Sequence, residues 1–169
     1  MIRPIVRYGD EGLRRRAEDV AELTTEVRSL IDDMVETMYA APGVGLAAPQ
    51  VGVPLRVFVA DPSVGRNADD LVVLVNPAVV EEEGVQTEEE GCLSVPGFAA
   101  KVRRPSRLVV RGLDRDGETI EVEGTGLLAR ALQHELDHLD GSLFLDRLRG
   151  LRRELIVRKI HKLQRTGKW

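Results

Sequence analysis

The chain has 169 residues, 43% of them hydrophobic and 31% charged, so it is long enough to bury a core and typical of globular proteins. No apolar run approaches the ~20 residues of a membrane span. The N-terminal residues Met1 to Pro4 lack the apolar core of a signal peptide. The single cysteine, Cys92, excludes an internal disulfide and fits a reducing compartment. We therefore expect one cytoplasmic domain over residues 1–169, with no membrane association.

The first clear helical pattern runs from Thr25 to Ala40. Its apolar side chains recur at intervals of three and four residues: Val27, Leu30, Ile31, Met34, Val35 and Met38. Thr24 or Thr25 can cap the start, and Pro42-Gly43 ends the pattern. We assign this helix to the core and expect no chemistry from it.

Small residues and glycines between Gly43 and Gln50 (GVGLAAPQ) allow the backbone to approach another group closely. The segment lacks the Lys-Ser/Thr pair and the following helix of a nucleotide-binding P-loop, which excludes that phosphate site. Two interpretations remain. One is a tight turn between helix and sheet, and the other is an exposed strand edge that pairs with an extended peptide.

Apolar and β-branched residues predict strands at 55–61 and 71–80, with Asp61-Pro62 and Asn76-Pro77 interpreted as boundaries. Asp116-Gly117 predicts the turn of a hairpin within 101–123. Two glutamate triplets, at 81–83 and 88–90, flank a turn that contains glycine. We expect them to be solvated, with Glu90 as the candidate exception.

The pattern at residues 134–138, HELDH, carries the chemistry. His134 and His138 lie four residues apart on a predicted helix, so both imidazoles can reach one metal ion. Glu135 is placed to touch a water molecule rather than to chelate. The alternative is a helix that contains this pattern by chance, with exposed histidines and no metal site. The chain contains three histidines and two are here, which favours a metal-dependent hydrolase.

Cys92 is the best candidate for a third ligand. Some zinc peptidases place a third histidine six residues after the second, but Phe144 stands there in this chain. Glu154, the only glutamate downstream, lies in a basic stretch. A lone cysteine is more often an inert apolar residue. However, a cysteine with two histidines is an established set for a catalytic metal, and a thiolate suits Fe²⁺ as well as Zn²⁺.

Three segments resemble, in order and spacing, the motifs of bacterial peptide deformylases: GVGLAAPQ at 43–50, EGCLS at 90–94 and QHELDH at 133–138. The similarity extends along nearly the whole chain. It implies an α+β fold in which antiparallel β-sheets surround a central metal-binding helix, with a C-terminal helix. It also implies hydrolysis of the formyl group from the N-terminal formyl-methionine of nascent polypeptides, with release of formate.

The resemblance also implies roles for individual residues. The metal ligands would be Cys92, His134 and His138. They would hold Fe²⁺, for which Zn²⁺, Ni²⁺ or Co²⁺ could substitute. Glu135 would act as the general base. The side-chain amide of Gln50 and the backbone N–H of Leu93 would donate to the oxyanion.

The methionine side chain needs an apolar pocket, and helix geometry suggests its lining. Leu127, Arg130 and Ala131 lie within about 60° of His134 on the predicted helix. Val44 and Gly45 from the first motif would face them. Arg130 replaces an aliphatic residue common in the family, and we expect its stem to line the pocket while its head reaches water. The opposite face is a predicted core stripe of Leu128, Leu132, Leu136 and Leu139.

Residues 151–169 hold seven Lys or Arg against one Glu, a net charge of +6. Because the whole chain has a net charge of −4, residues 1–150 carry a net charge of −10. A helix from 151 to about 165 presents a narrow apolar stripe of Ile156, Ile160 and Leu163. Its other side is basic: Arg158, Lys162 and Arg165. This side is either an ordinary solvated face or a surface that docks on ribosomal RNA.

Two other functions share part of the pattern. A zinc metallopeptidase of the H-E-x-x-H type would use the same helix but usually a different third ligand. A structural zinc protein would close the fourth coordination position with another Cys or His, for which only His161 is spare.

Overall fold

Two antiparallel sheets and three α-helices form the fold in the computed structural model, which describes residues 1–169. The strands are β1 Gly45–Ala47, β2 Val57–Ala60, β3 Val72–Glu83, β4 Gln86–Gly91, β5 Ala99–Arg104, β6 Arg107–Leu113 and β7 Thr119–Thr125. The helices are α1 Thr25–Ala40, α2 Gly126–Leu139 and α3 Leu151–Arg165. Short 3-10 helices lie at Glu11–Arg14, Ala48–Val51, Ala68–Asp70 and Phe144–Arg147. This architecture confirms the expected α+β class.

The strand order leaves β1 at an edge of the larger sheet. The larger sheet has the order β1-β2-β3-β6-β7, and the smaller pairs β4 with β5. β1 pairs only with β2, in the register Gly45 with Ala60, so its other edge carries unpaired backbone groups. The segment at 43–50 therefore contains an edge strand rather than only a turn.

Alternate residues of the larger sheet face different helices, as the two-residue period of a strand requires. Phe58 and Leu74 pack with the leucine stripe of α2, which is buried or partly buried as predicted. Val57, Val59 and Val75 pack with α1 instead. The two helices thus cover opposite faces of one sheet. The bounds predicted for α1 are confirmed, and the Thr24 side chain accepts a hydrogen bond from the Val27 N–H.

β3 runs to Glu83, beyond the predicted end at residue 80, and Asn76-Pro77 lies inside it as an irregularity. Pro77 has no N–H to donate, and the pairing with β6 shifts register between Val75 and Ala78. Asn76 has a positive φ of 52°, and its side chain bonds both the N–H and the carbonyl of Val20, at 2.8 and 2.9 Å. The dipeptide was wrongly interpreted as a strand boundary.

The hairpin of β6 and β7 turns at Asp116-Gly117 as predicted. Both glutamate triplets lie in strands, at the end of β3 and in β4, and only Glu90 among them is buried.

At the other end of the chain, Ile160 of α3 is fully buried in a third cluster with Val95 and Phe144. Arg158, Lys162 and Arg165 of α3 are exposed. None of the helices is both long and apolar enough to span a membrane.

Candidate metal centre and active site

Three potential metal ligands converge at one point. Cys92 Sγ lies 3.3 Å from His138 Nε2, which lies 3.1 Å from His134 Nε2. All three atoms are within 4.8 Å of one another. A tetrahedral ion with bonds of about 2.0–2.3 Å holds its ligand atoms about 3.3–3.6 Å apart. The spacing and the donor set therefore fit a small divalent metal ion.

Two elements bring these ligands together. His134 and His138 lie one turn apart on α2, and both are buried. Cys92 follows directly after β4 in a tight turn, in which the Val95 N–H donates to the Cys92 carbonyl over 2.9 Å. The position of the thiol thus depends on how the end of β4 is held against α2.

Glu90 provides that connection. Its Oε2 lies 2.7 Å from His134 Nδ1, so this nitrogen donates and the Nε2 lone pair is free for a metal. Its Oε1 accepts from Arg104 Nε at 3.1 Å and from Arg130 at 2.8 Å. Burial alone would raise the pKa of Glu90, but the hydrogen bonds from His134 and Arg104 hold it well below its usual range. The carboxylate is therefore charged, and both of its oxygens accept hydrogen bonds.

The charge network continues beyond Glu90 through residues that the sequence analysis missed. The fully buried Arg104 donates to Asp137 at 2.6 Å, and Asp137 also accepts two hydrogen bonds from Arg147. The sequence contained one signal that Arg104 is buried. Arg104 follows Ala100 and Val102 at the two-residue period of β5, which places it on the inward-facing side of the strand.

The expectation that the head of Arg130 reaches water was wrong. Its side chain is only 5% exposed, and its guanidinium donates to Glu90 and to the Val102 carbonyl, at 2.8 and 3.0 Å. The buried carboxylate of Glu90 lies within reach and provides a charged acceptor. The guanidinium therefore turns inwards and joins the network beneath the ligands.

Glu135 is buried beside the ligands, and its Oε1 has no hydrogen-bond partner. A Cβ atom on Gly45 would lie 2.4 Å from Glu135 Oε2, so glycine is required there to admit the carboxylate. Burial, partly offset by the charge of His134, raises the pKa of Glu135 to about 7. A carboxyl group with this pKa can both accept and return a proton near neutral pH.

Burial and the neighbouring His134 lower the pKa of His138 well below its usual value, so its imidazole is neutral. Burial also opposes charge on His134. However, the Glu135 carboxylate and the hydrogen bonds with Cys92 and Glu90 raise the pKa of His134 well above its usual value. The surroundings of His134 thus favour a positive charge, and the same negative groups would stabilise a bound metal cation.

Two hydrogen-bond donors lie on the other side of the ligands. Gln50 Oε1 accepts from the Ala47 N–H at 3.0 Å, which orients the amide. Gln50 Nε2 then lies 3.6 Å from Cys92 Sγ and 3.1 Å from Ser94 Oγ. The Leu93 N–H makes no hydrogen bond within the protein.

A single cleft of about 820 Å³ connects these groups. Its wall includes Cys92, His134, Glu135 and Gln50. It also includes the five residues predicted to bind the substrate: Val44, Gly45, Leu127, Arg130 and Ala131. Leu127 is half-exposed, whereas Ala131 is buried. The free edge of β1 and the end of β4 lie along the same cleft, so an extended chain can enter between them.

Comparisons with known proteins agree on one family. The model of the polypeptide deformylase family matches residues 2–154. The peptide deformylase of Acidobacterium capsulatum is 52% identical over 169 residues, which cover 100% of this chain and 99% of that protein. The crystal structure of a peptide deformylase from Legionella pneumophila has a TM-score of 0.92 and 46% identity, over 99% and 98% of the two chains. The Ehrlichia chaffeensis peptide deformylase in complex with actinonin has a TM-score of 0.89 and 37% identity, over 97% and 98%.

The Glu90 contacts generate a first prediction. We expect Glu90→Ala to weaken metal binding about 10–100-fold, because His134 loses the acceptor that orients its ring. Competition with a chromogenic chelator measures this affinity. Glu88→Ala, at an exposed position of the same strand, is the matched control. Thermal denaturation must show that both variants are folded, since Arg104 and Arg130 also lose a counter-ion. An unchanged metal affinity in folded Glu90→Ala contradicts the orienting role.

Proposed function

The chain belongs to the polypeptide deformylase family, and from that premise we propose that Cys92, His134 and His138 hold its catalytic metal, with Fe²⁺ as the native ion. The protein removes the N-formyl group from formyl-methionyl polypeptides and releases formate. One observation carries the assignment of the site. The three ligand atoms converge beside a buried carboxylate, Glu135, that has an oxygen without a partner.

The donor set supports the choice of metal. A thiolate and two imidazoles suit both Fe²⁺ and Zn²⁺. Similarity to bacterial deformylases favours iron, with Zn²⁺, Ni²⁺ or Co²⁺ as substitutes. When bound, the metal supplies Lewis acidity, which polarises a carbonyl group and lowers the pKa of a water molecule.

The residues around the metal perform the proton transfers. Glu135 Oε1 accepts the proton of the attacking water and later returns it to the departing amine nitrogen. Negative charge develops on the formyl oxygen in between. Gln50 Nε2 and the Leu93 N–H donate to that oxygen, which stabilises the charge more than it stabilises the neutral carbonyl.

The cleft supports a defined position for the peptide. Gly45 lies against Glu135, so the formyl end of the substrate belongs beside Gly45. The following residues then run antiparallel to β1 past Val44, whose N–H makes no hydrogen bond within the protein. The methionine side chain enters between Val44, Leu127 and Ala131. Arg130 lines this wall, and its ion pair with Glu90 offsets its charge.

The other two functions have less support. Glu154, the alternative third ligand of a metallopeptidase, is an exposed residue of α3. His161, the one spare residue for a closed structural zinc site, is also exposed on α3, and the cluster of potential ligands contains only three residues. The fourth coordination position is therefore left for water and substrate.

The second prediction concerns the metal. Protein purified without oxygen should contain about one Fe²⁺ per chain, since each chain supplies one such ligand set. Chelation should abolish formate release from formyl-Met-Ala-Ser, and Fe²⁺ should restore it better than Zn²⁺. Elemental analysis and a formate assay measure the two quantities. Zinc as the resident ion, with iron no more active, contradicts the choice of Fe²⁺. Cleavage of internal peptide bonds in Met-Ala-Ser would instead indicate a metallopeptidase.

The third prediction separates the base from the ligands. Glu135→Gln should retain its metal and lose turnover by roughly 10²–10⁴-fold, because the amide cannot accept the proton of water. Metal content and kcat are measured on the same preparation. Glu154→Ala serves as the control and should resemble the wild type in both. Loss of metal by Glu135→Gln would make Glu135 a ligand rather than the base.

The basic side of α3 supports a docking surface for the ribosome. Arg158, Lys162 and Arg165 are exposed on this helix, and none of them forms a salt bridge. We infer that they contact ribosomal RNA where formylated nascent chains emerge, while the acidic remainder of the protein stays away from phosphate. The reduced thiol of Cys92 and this substrate support a cytoplasmic location.

The fourth prediction tests the docking surface. Changing Arg158, Lys162 and Arg165 together to Glu should weaken ribosome binding and flatten its dependence on salt concentration. Turnover of free formyl-Met-Ala-Ser should not change, because these side chains lie outside the cleft. A control variant with the same change in charge, Arg15, Arg16 and Arg66 to Glu, should bind ribosomes more tightly than the first. Equal binding by the two variants would leave α3 without a docking role.

A further inference from the structure

The N-terminal strap, residues 5–9, connects the two segments that carry the proposed oxyanion donors, the 3-10 helix Ala48–Val51 and the turn after Cys92. The Val6 N–H donates to the Gln50 carbonyl over 2.8 Å. The Tyr8 N–H donates to the Ser94 carbonyl, one residue after Leu93, also over 2.8 Å. Gln50 and Ser94 are more than 40 residues apart in sequence, and this extended segment bonds the backbone of both. The strap therefore spans the two sides of the donor pair.

The end of the chain holds the strap from outside. Trp169 Nε1 donates to the Tyr8 carbonyl over 2.8 Å, so one residue of the strap bonds the Ser94 loop through its N–H and Trp169 through its carbonyl. The guanidinium of Arg7 lies 5.9 Å from the centroid of the Trp169 ring. The Phe98 ring lies 6.1 Å from Trp169, in a tilted arrangement. Both Arg7 and Phe98 line the catalytic cleft.

The choice of acceptor gives these contacts their significance. A buried indole N–H usually finds some acceptor, and here the acceptor is the carbonyl of Tyr8, the strap residue whose N–H bonds the Ser94 loop. Trp169 is partly buried, and it is the only tryptophan in the chain. Together, its hydrogen bond and its ring contacts restrain the strap, the Ser94 loop and the wall of the cleft.

We propose that Trp169 is a positioning residue for the oxyanion hole, acting through Tyr8 of the strap on the segments that carry Gln50 and Leu93. The inference rests on the proposed roles of these two donors. A displacement of about 1 Å in a catalytic group can cost up to ~10² in rate. Loss of the Trp169 contacts, which lie outside the site, should lower kcat by less, about three- to tenfold. The backbone hydrogen bonds from Val6 to Gln50 and from Tyr8 to Ser94 remain in place.

The experiment compares Trp169→Ala, Trp169→Phe and the wild type in formate release from formyl-Met-Ala-Ser. We expect kcat to fall in Trp169→Ala and to be intermediate in Trp169→Phe, which keeps a ring against Phe98 but lacks the N–H. KM should change by less than about twofold, since the Met pocket is untouched. Lys159→Ala, on an exposed position of α3, is the matched control. Trp169→Phe also serves if the alanine variant folds poorly, and metal content and thermal denaturation are measured for each.

A double-mutant cycle with Gln50→Ala separates positioning from general stability. Gln50→Ala alone should lower kcat by about 10²–10³-fold. The effect of Trp169→Ala should be smaller in that background than in the wild type, because one donor that it positions is already gone. Equal effects in both backgrounds, or an unchanged kcat in both Trp169 variants, would overturn the inference while leaving the proposed site intact. A normal kcat in Gln50→Ala would instead remove the oxyanion role of Gln50, and the inference with it.

Discussion

The buried carboxylate of Glu90 is the contact on which the geometry of the site depends. It lies in β4, two residues before Cys92, and it bonds His134 and Arg130 of α2 as well as Arg104 of β5. A buried charge is costly unless its hydrogen bonds are satisfied, so an arrangement that separated β4 from α2 would leave several charges unpaired. The same contacts that satisfy Glu90 fix the thiol relative to the two imidazoles.

The placement of α2 follows from the alternation of side chains in the larger sheet. Phe58 and Leu74 face α2, while their neighbours Val57 and Val75 face α1, so β2 and β3 each contribute to two cores. The apolar stripe of α2 fixes its rotation on the sheet. His134 and His138 are thereby directed to the side where the edge of β1 is free. The packing of α2 thus orients the two imidazoles.

The sequence predicted features that local patterns determine. The helix at 25–40 and the turn at Asp116-Gly117 follow from periodicity and turn residues. The grouping of Cys92 with His138, 46 residues away, is not local, and it was predicted from donor chemistry and from the resemblance of three motifs to a family. Local patterns could not predict features that depend on a distant partner. The inward turn of Arg130 requires Glu90, 40 residues away, and Asn76 inside β3 is stabilised by Val20. The pairing of Arg104 with Asp137 is likewise invisible to any local pattern.

This division between local and distant information has a consequence for catalysis. The groups proposed to react lie in three short motifs, but the tolerances of an oxyanion hole are a fraction of an ångström, finer than a motif can specify. Segments outside the motifs contact the proposed donors. Val6 bonds Gln50, Tyr8 bonds Ser94 next to Leu93, and Trp169 bonds Tyr8 in turn. Sequence changes near either end of the chain can therefore alter turnover without touching a residue that contacts the substrate.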